Sequence, residues 1–212
     1  MTVRQLTEPP YEPITRAQAK LWCRIDSDIT DQDAVIDQLV KAMREYAENL
    51  TGRVFVQRTF QLVLPAYQVV RYSGYARTGI VLPYPPLVSV ESITYTDTDG
   101  AEQTLATTEY DVHTWREPGV VVEGWNVTWP SHRGEIDAIR VNFTAGYGLG
   151  SPPDEAAYQE GIPSQLKLWM QARIATLYEQ REQIITGTIT EKIPRDFADG
   201  LLDSIVVGRR LF

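Results

Sequence analysis

The stretch VNFTAGYGLGSPP, residues 141–153, separates two kinds of sequence in this chain. An apolar, strand-like run leads into Gly146, Gly148 and Gly150, and two prolines follow. Glycines directly after a strand can cradle a phosphate, but a dinucleotide-binding loop has the pattern G-x-G-x-x-G and opens directly into a helix. Here Ser151 stands in the place of the third glycine, and acidic residues precede the next helical segment. We therefore expect this loop to turn the chain and not to bind a nucleotide.

The residues before the loop have the pattern of an antiparallel sheet. Between residues 54 and 146, short runs rich in β-branched and aromatic residues alternate with turn residues. Asp99-Gly100 lies between two such runs, and a tight hairpin turn needs residues that tolerate positive φ. Residues 66–79, which contain three tyrosines, are the most loop-like stretch. We expect that stretch to be mobile or to lie at an interface.

Helical patterns lie on both sides of this block. Thr15 and Gln18 have the spacing of a capping box, which predicts that a helix begins there. A second helix with one apolar face follows, and Gly52 is a natural stop for it. From about residue 163 the helical pattern returns, with Leu166, Met170, Ile174 and Leu177 on one stripe. The order of the blocks predicts an α+β protein in which the N- and C-terminal helices build one core and an antiparallel β module is inserted between them.

This division predicts the following segments along the chain: an N-terminal arm (1–13), the N-terminal helices of the core (14–53), the inserted β module (54–146), a linker loop (147–162), the C-terminal helices of the core (163–204) and a C-terminal tail (205–212).

The composition is that of a globular protein with an acidic surface. Hydrophobic residues make up 43% of the 212 residues and charged residues 23%, which is ordinary for a folded, soluble chain. No apolar run approaches the ~18 residues of a membrane span, and the N-terminus lacks the pattern of a signal peptide. The single cysteine, Cys23, is expected to be a packing residue. The net charge of -8 argues against a protein that grips nucleic acid over a broad surface.

No motif predicts catalysis, a metal site or a cofactor. His113 and His132 are the only histidines and do not have the spacing of metal ligands. The acidic cluster in residues 26–33 lacks the glycine and the terminal glutamate of a calcium loop, so helix capping and a solvated turn explain it better. No serine sits in a G-x-S-x-G turn. We therefore expect neither an enzyme nor a metalloprotein.

Two aromatic or apolar features leave a binding role open. Trp115, Trp125 and Trp129 surround a turn-rich stretch, where they either close the hydrophobic ends of a small sheet or form a platform for sugar or protein. The terminal GRRLF, residues 208–212, is either a solvated end or a segment that a partner holds.

The ordered set of segments resembles a known group of proteins. ITRAQAKLWCRID, DAVIDQLVKAMREYAENLTGR, LPYPPLVSVESITYTDTDGAEQTL, EYDV, VNFTAGYG and IPSQLKLWMQARIATLYEQRE follow one another over about residues 14–185. In this order they look like the head–tail connector (adaptor) proteins of tailed phages, which include the gp6-like connectors and the related phage and gene-transfer-agent group with a β insertion.

The resemblance implies a virion structural protein at the head–tail interface, synthesised in the host bacterial cytoplasm. Such adaptors form a ring, commonly dodecameric, under the portal protein. They extend the DNA channel and provide the docking surface for a stopper, head-completion or tail protein. Double-stranded DNA passes through without sequence-specific binding, and no membrane is involved. An acidic channel wall would repel the DNA phosphates and ease their passage.

The resemblance also suggests residues for two roles. The helix at 163–185 would help to build the ring, and the C-terminal residues would face the portal. The ring-building candidates are Trp169, Arg173, Tyr178 and Arg181, and the portal-binding candidates are Arg209, Arg210, Leu211 and Phe212. The alternative is an aromatic-rich carbohydrate- or host-binding module of a virion.

Overall fold

The structure, a computed structural model, describes residues 1–72, 75–148, 155–180 and 200–207, and the chain divides into two compact units. The β unit consists of residues 1–10 and 57–147, and the helical unit of residues 11–56 together with the chain from Gly148 onwards. The predicted α+β class is confirmed: helices from both ends of the chain form one unit, and an antiparallel β module is inserted between them.

The helical unit contains α1 (Arg16–Trp22), α2 (Asp33–Thr51), α3 (Glu155–Glu160), α4 (Ser164–Glu179) and α5 (Gly200–Asp203). The capping box at the start of α1 is confirmed: the Gln18 N–H donates to Thr15 Oγ1 at 3.1 Å, and the Thr15 N–H donates to Gln18 Oε1 at 2.9 Å. The predicted stop at the end of α2 is confirmed as well, since Gly52 is left-handed with φ of 69°.

Apolar side chains of α2 and α4 form the core of the helical unit, and α4 packs against both α1 and α2. Ile36, Ala47, Leu166 and Ile174 are fully buried. The predicted stripe of α4 ends before Leu177, whose side chain is 42% exposed. None of the helices among the described residues is long and apolar enough to cross a membrane.

The β unit contains β1 (Thr2–Gln5), β2 (Arg58–Leu64), β3 (Gln68–Tyr72), β4 (Tyr75–Leu82), β5 (Leu87–Thr96), β6 (Glu102–Thr104), β7 (Tyr110–His113), β8 (Gly119–Glu123) and β9 (Ile139–Ala145). They form a five-stranded sheet in the order β1-β2-β9-β5-β6 and a four-stranded sheet in the order β3-β4-β8-β7. Every pairing is antiparallel.

The centre of the five-stranded sheet is the β2–β9 pair. Both strands alternate fully buried and half-buried residues, and buried partners stand opposite each other, as Phe60 does with Phe143 and Leu62 with Val141. This alternation places one face of the sheet in the core.

The predicted hairpin at Asp99-Gly100 is confirmed, since it joins β5 to β6. Gly100 has φ of 89°. The Asp97 carboxylate accepts the N–H groups of Asp99 at 3.0 Å and Ala101 at 2.9 Å. The turn is therefore longer than two residues and is closed by an aspartate side chain.

The interpretation of residues 66–79 as a loop is wrong, because most of them form β3 and β4. Val70, on β3, is buried against Val120 and Val122 of β8. Packing of these β-branched residues stabilises the strands, whereas the three tyrosines had suggested a loop. Two further elements lie where no regular structure was expected: β1 within residues 1–13 pairs with β2, and α3 lies within residues 147–162.

Candidate assembly surfaces

The glycines after β9 have a packing role in the structure. Gly146 has φ of 123° and donates its N–H to Pro86 O at 2.9 Å. Gly148 has φ of 115°, and a Cβ there would lie 3.0 Å from the ring of Tyr158. A Cβ on Gly161 would lie 2.9 Å from the Gly148 Cα. Backbone therefore packs on backbone beside α3, which needs residues without side chains. Gly150 lies outside the described residues.

Asp33, the last residue of the acidic cluster and the first residue of α2, forms ion pairs with α1. Lys20 Nζ lies 2.5 Å from Asp33 Oδ1, and Arg16 Nη1 lies 2.9 Å from Asp33 Oδ2. The hydrogen bond from Lys20 is the main reason that the pKa of Asp33 is lowered. The expected side-chain cap is absent here, since Gln32 stands at the cap of α2 without such a bond. Asp26, Asp28 and Asp31 are exposed, as a solvated turn predicts.

Across the described ranges, no group of His, Cys, Asp or Glu side chains could hold a metal ion. Cys23 is buried, and this burial raises the pKa of its thiol, which suits a packing residue.

A buried charge in the helical unit was not anticipated. Arg44 is 2% exposed, its Nε donates to Glu12 Oε2 at 2.8 Å, and its Nη1 donates to Glu48 Oε2 at 3.1 Å. Burial acts to lower the pKa of Arg44, but the carboxylates of Glu12, Glu48 and Glu45 outweigh it, so the guanidinium stays charged. The spacing of Arg44 and Glu48 on one helix was the only sequence signal for this cluster. Because carboxylates of the same unit pair with its guanidinium, Arg44 has a structural role.

The three tryptophans of the β unit do not share one surface. Trp129 is 6% exposed, packs on Tyr67 at 4.8 Å between ring centroids, and donates its indole N–H to Glu109 O at 3.0 Å. Trp115 and Trp125 are 72% and 89% exposed. They precede and follow β8, whose length of about 16 Å separates them. The three tryptophans therefore do not form a single platform. Only Trp129 fits the other expectation, that the tryptophans close the hydrophobic end of a sheet.

The ring-building candidates on α4 differ in accessibility. Trp169 is fully buried and stacks on Tyr46 at 6.0 Å, and the Arg173 guanidinium lies 5.9 Å from its ring centroid. Trp169 is therefore packed inside the helical unit, and its role in ring building stays a prediction. Arg173 and Tyr178 are half-buried, and their role in a ring stays a prediction. Arg181 lies outside the described residues.

The portal-binding candidates Arg209, Arg210, Leu211 and Phe212 lie outside the described residues, but the chain just before them is held in place. The Val207 N–H donates to Thr51 O at 2.8 Å, and Arg53 Nε donates to Ile205 O. The helical unit therefore anchors the chain as far as Val207.

The two edges of the four-stranded sheet carry opposite charge. At one edge, β3 and its neighbour β4 carry Arg71 and Arg77, both exposed, beside Val69, which is 65% exposed. At the other edge, β7 carries the exposed Asp111. One sequence signal could have predicted the basic edge: residues 49–90 contain no Asp or Glu.

No protein-family model matches this sequence, and no curated protein sequence matches it. Solved structures with the same fold exist. A chain of the neck of an empty gene transfer agent (GTA) particle with C6 symmetry is 20% identical with a TM-score of 0.73, over 100% of this chain and 98% of that chain. A chain of the native GTA virion is 19% identical with a TM-score of 0.70 over the same shares. A chain of the native GTA neck with C12 symmetry is 19% identical with a TM-score of 0.67, again over 100% and 98%. The whole chain, both units included, thus has a fold that occurs in the necks of phage-like particles.

Proposed function

We propose that this protein is a virion structural protein, a head–tail adaptor that forms a ring under the portal. The observation that carries the proposal is the likeness to GTA neck chains over 100% of this chain and 98% of those chains, with a TM-score of 0.73 for one of them. Because neither chain has a sizeable part that the other lacks, the shared fold includes the inserted β module and is not confined to a common helical core.

The ring extends the DNA channel and offers a docking surface to a stopper, head-completion or tail protein. Its partners are the portal, further copies of this chain and the double-stranded DNA that passes through. The net charge of -8 favours passage without binding, because an acidic wall repels phosphates. The protein acts by assembly and not as an enzyme, and its place is in the virion.

Light scattering on the full chain, alone and mixed with its cognate portal, tests this proposal. If the protein is an adaptor, we expect a species of six or twelve times the 24.0 kDa subunit mass, or six or twelve copies bound to the portal. A chain that remains a 24.0 kDa monomer with and without the portal contradicts it.

A glycan- or host-binding role is the second candidate, and the 89% exposure of Trp125 is the observation that favours it. On a glycan array, this candidate predicts binding that Trp125→Ala abolishes. An array without binding removes the candidate.

A further inference from the structure

We propose that neighbouring copies join through the four-stranded sheet, with β3 of one copy pairing antiparallel with β7 of the next. The inference rests on the proposed function, because it states how copies of this chain would meet in a ring. Among the described strands, none pairs with the outer edge of β3 or of β7. An edge strand presents unpaired N–H and C=O groups and is a template for another strand.

The β3 edge carries little of the usual protection against such pairing, since Arg71 is its one charged residue. Natural edge strands are protected by proline, by charged side chains (above all lysine), by a bulge or by very short length. The five residues of β3 include no proline and no lysine, their pairing with β4 runs without a bulge, and Val69 is 65% exposed. A weakly protected edge with an exposed valine is expected where a partner strand covers it.

Strand direction favours this sheet as the one that continues between copies. In an antiparallel sheet with an even number of strands, the two edge strands run in opposite directions. Rotation about an axis roughly parallel to the strands then sets β3 antiparallel to the next copy's β7, which is the more stable arrangement. The five-stranded sheet would give a parallel contact, and its edge strand β6 has only three residues.

Charge selects which edges meet. Pairing β3 with β3 places the Arg71 residues of two copies on adjacent strands, and pairing β7 with β7 does the same for Asp111. Both arrangements are repulsive, whereas β3 with β7 joins a basic edge to an acidic one. The interface is therefore head-to-tail, the type that closes into a ring.

One register satisfies both strand length and side-chain direction. Val70 and Arg77 are cross-strand partners, and Asp111 is the partner of Val122, which packs with Val70 on one face. Because successive residues of a strand alternate between the two faces of a sheet, residues of the same face must stand opposite each other across the new contact. The full length of β7 then lies along β3 only if Val69 stands opposite Val112 of the next copy. This register places Asp111 opposite Val70, two strand spacings (about 10 Å) from the backbone of Arg77.

Cysteine cross-linking tests the pairing in the full-length ring, or in the portal-bound ring if the portal is needed. Within one chain, residues 69 and 112 are three strand spacings apart, about 14 Å, too far for a disulfide. The double variant Val69→Cys/Val112→Cys is expected to give a ladder of covalent multimers under oxidation. The single variants and the parent, which retains the buried Cys23, are expected to stay monomeric on a denaturing gel.

Charge exchange provides a second measurement that does not depend on disulfide geometry. Asp111→Arg and Arg77→Asp are each expected to weaken assembly by up to about fivefold per contact, and the combined variant to restore it. Lys41→Glu, an exposed charge change on α2, is the matched control and should leave assembly unchanged.

The failures are distinguishable. Rings without a 69–112 cross-link, or cross-linking of either single variant, overturn the pairing and leave the adaptor proposal standing. A chain that does not assemble with or without the portal overturns both.

Discussion

Arg44 is the least exposed charged side chain among the described residues, at 2%, and its carboxylate partners make that burial tolerable. Removing one member of a buried ion cluster leaves uncompensated charge. Arg44→Ala is therefore expected to lower the free energy of unfolding by about 3 kcal/mol in urea titrations. Lys41→Ala on the exposed side of the same helix should change it by less than about 0.5 kcal/mol. Equal effects of the two variants would contradict the structural role of Arg44.

Asp33 gives the helical unit an acid-sensitive contact. Its hydrogen bond with Lys20, with Arg16 adding attraction, lowers its pKa below the ordinary 3.8. Because the folded pKa lies below the unfolded one, the stabilisation is complete above that ordinary value and is lost as the pH falls through the lowered pKa. We expect Asp33→Asn to reduce the urea midpoint at about pH 7, and the difference from the parent to shrink as the pH falls below 3.8. A difference that is independent of pH would refute this assignment.

Gly148 is required for its shape. At φ of 115° an alanine is strained, and its Cβ would lie 3.0 Å from Tyr158. Gly148→Ala is expected to lower the free energy of unfolding by about 2 kcal/mol. Gly134→Ala, whose Cβ would have no neighbour within 4 Å, is the control and should be nearly neutral. Thermal unfolding followed by circular dichroism measures both.

At the scale of elements, the segment that follows β8 carries two tryptophans with different burial, Trp125 and Trp129. Trp129→Ala removes a buried indole and its hydrogen bond to Glu109 O, so we expect a loss of about 3–5 kcal/mol in the free energy of unfolding. Trp125→Ala, with a side chain 89% exposed, should not alter stability. Unfolding curves of the two variants decide the matter, and a destabilised Trp125 variant would mean that its surroundings are misassigned.

At the scale of the whole molecule, the boundary of the C-terminal tail determines how the adaptor proposal is tested. The structure anchors Ile205 and Val207, so deleting residues 205–212 removes an acceptor of Arg53 and a donor to Thr51. We expect this deletion to lower the melting temperature. Deleting residues 208–212 alone should leave the melting temperature unchanged and abolish attachment to portal-filled heads. Attachment that survives the shorter deletion would move the portal contact elsewhere.

The sequence by itself determined the features that depend on neighbours along the chain. The capping box at Thr15, the stop at Gly52 and the hairpin at Gly100 each need a particular side chain or backbone freedom at one position. The change of hydrophobic period along the chain likewise determined the α+β class and the insertion of the strands between helices, since each period has only one regular structure that buries an apolar face.

Tertiary structure alone decided which residues are buried and which edges remain open. β4 pairs with β8, about 40 residues further along, and β3 pairs with β4, so both are strands because of tertiary pairing. Trp129 is buried while Trp125 is not because Tyr67 and Glu109 lie beside only one of them. The opposite charges of the β3 and β7 edges can be recognised only in the structure, because only there do the two strands form the edges of one sheet. Burial and edge position depend on contacts between distant parts of the chain, and a local sequence pattern does not identify those partners.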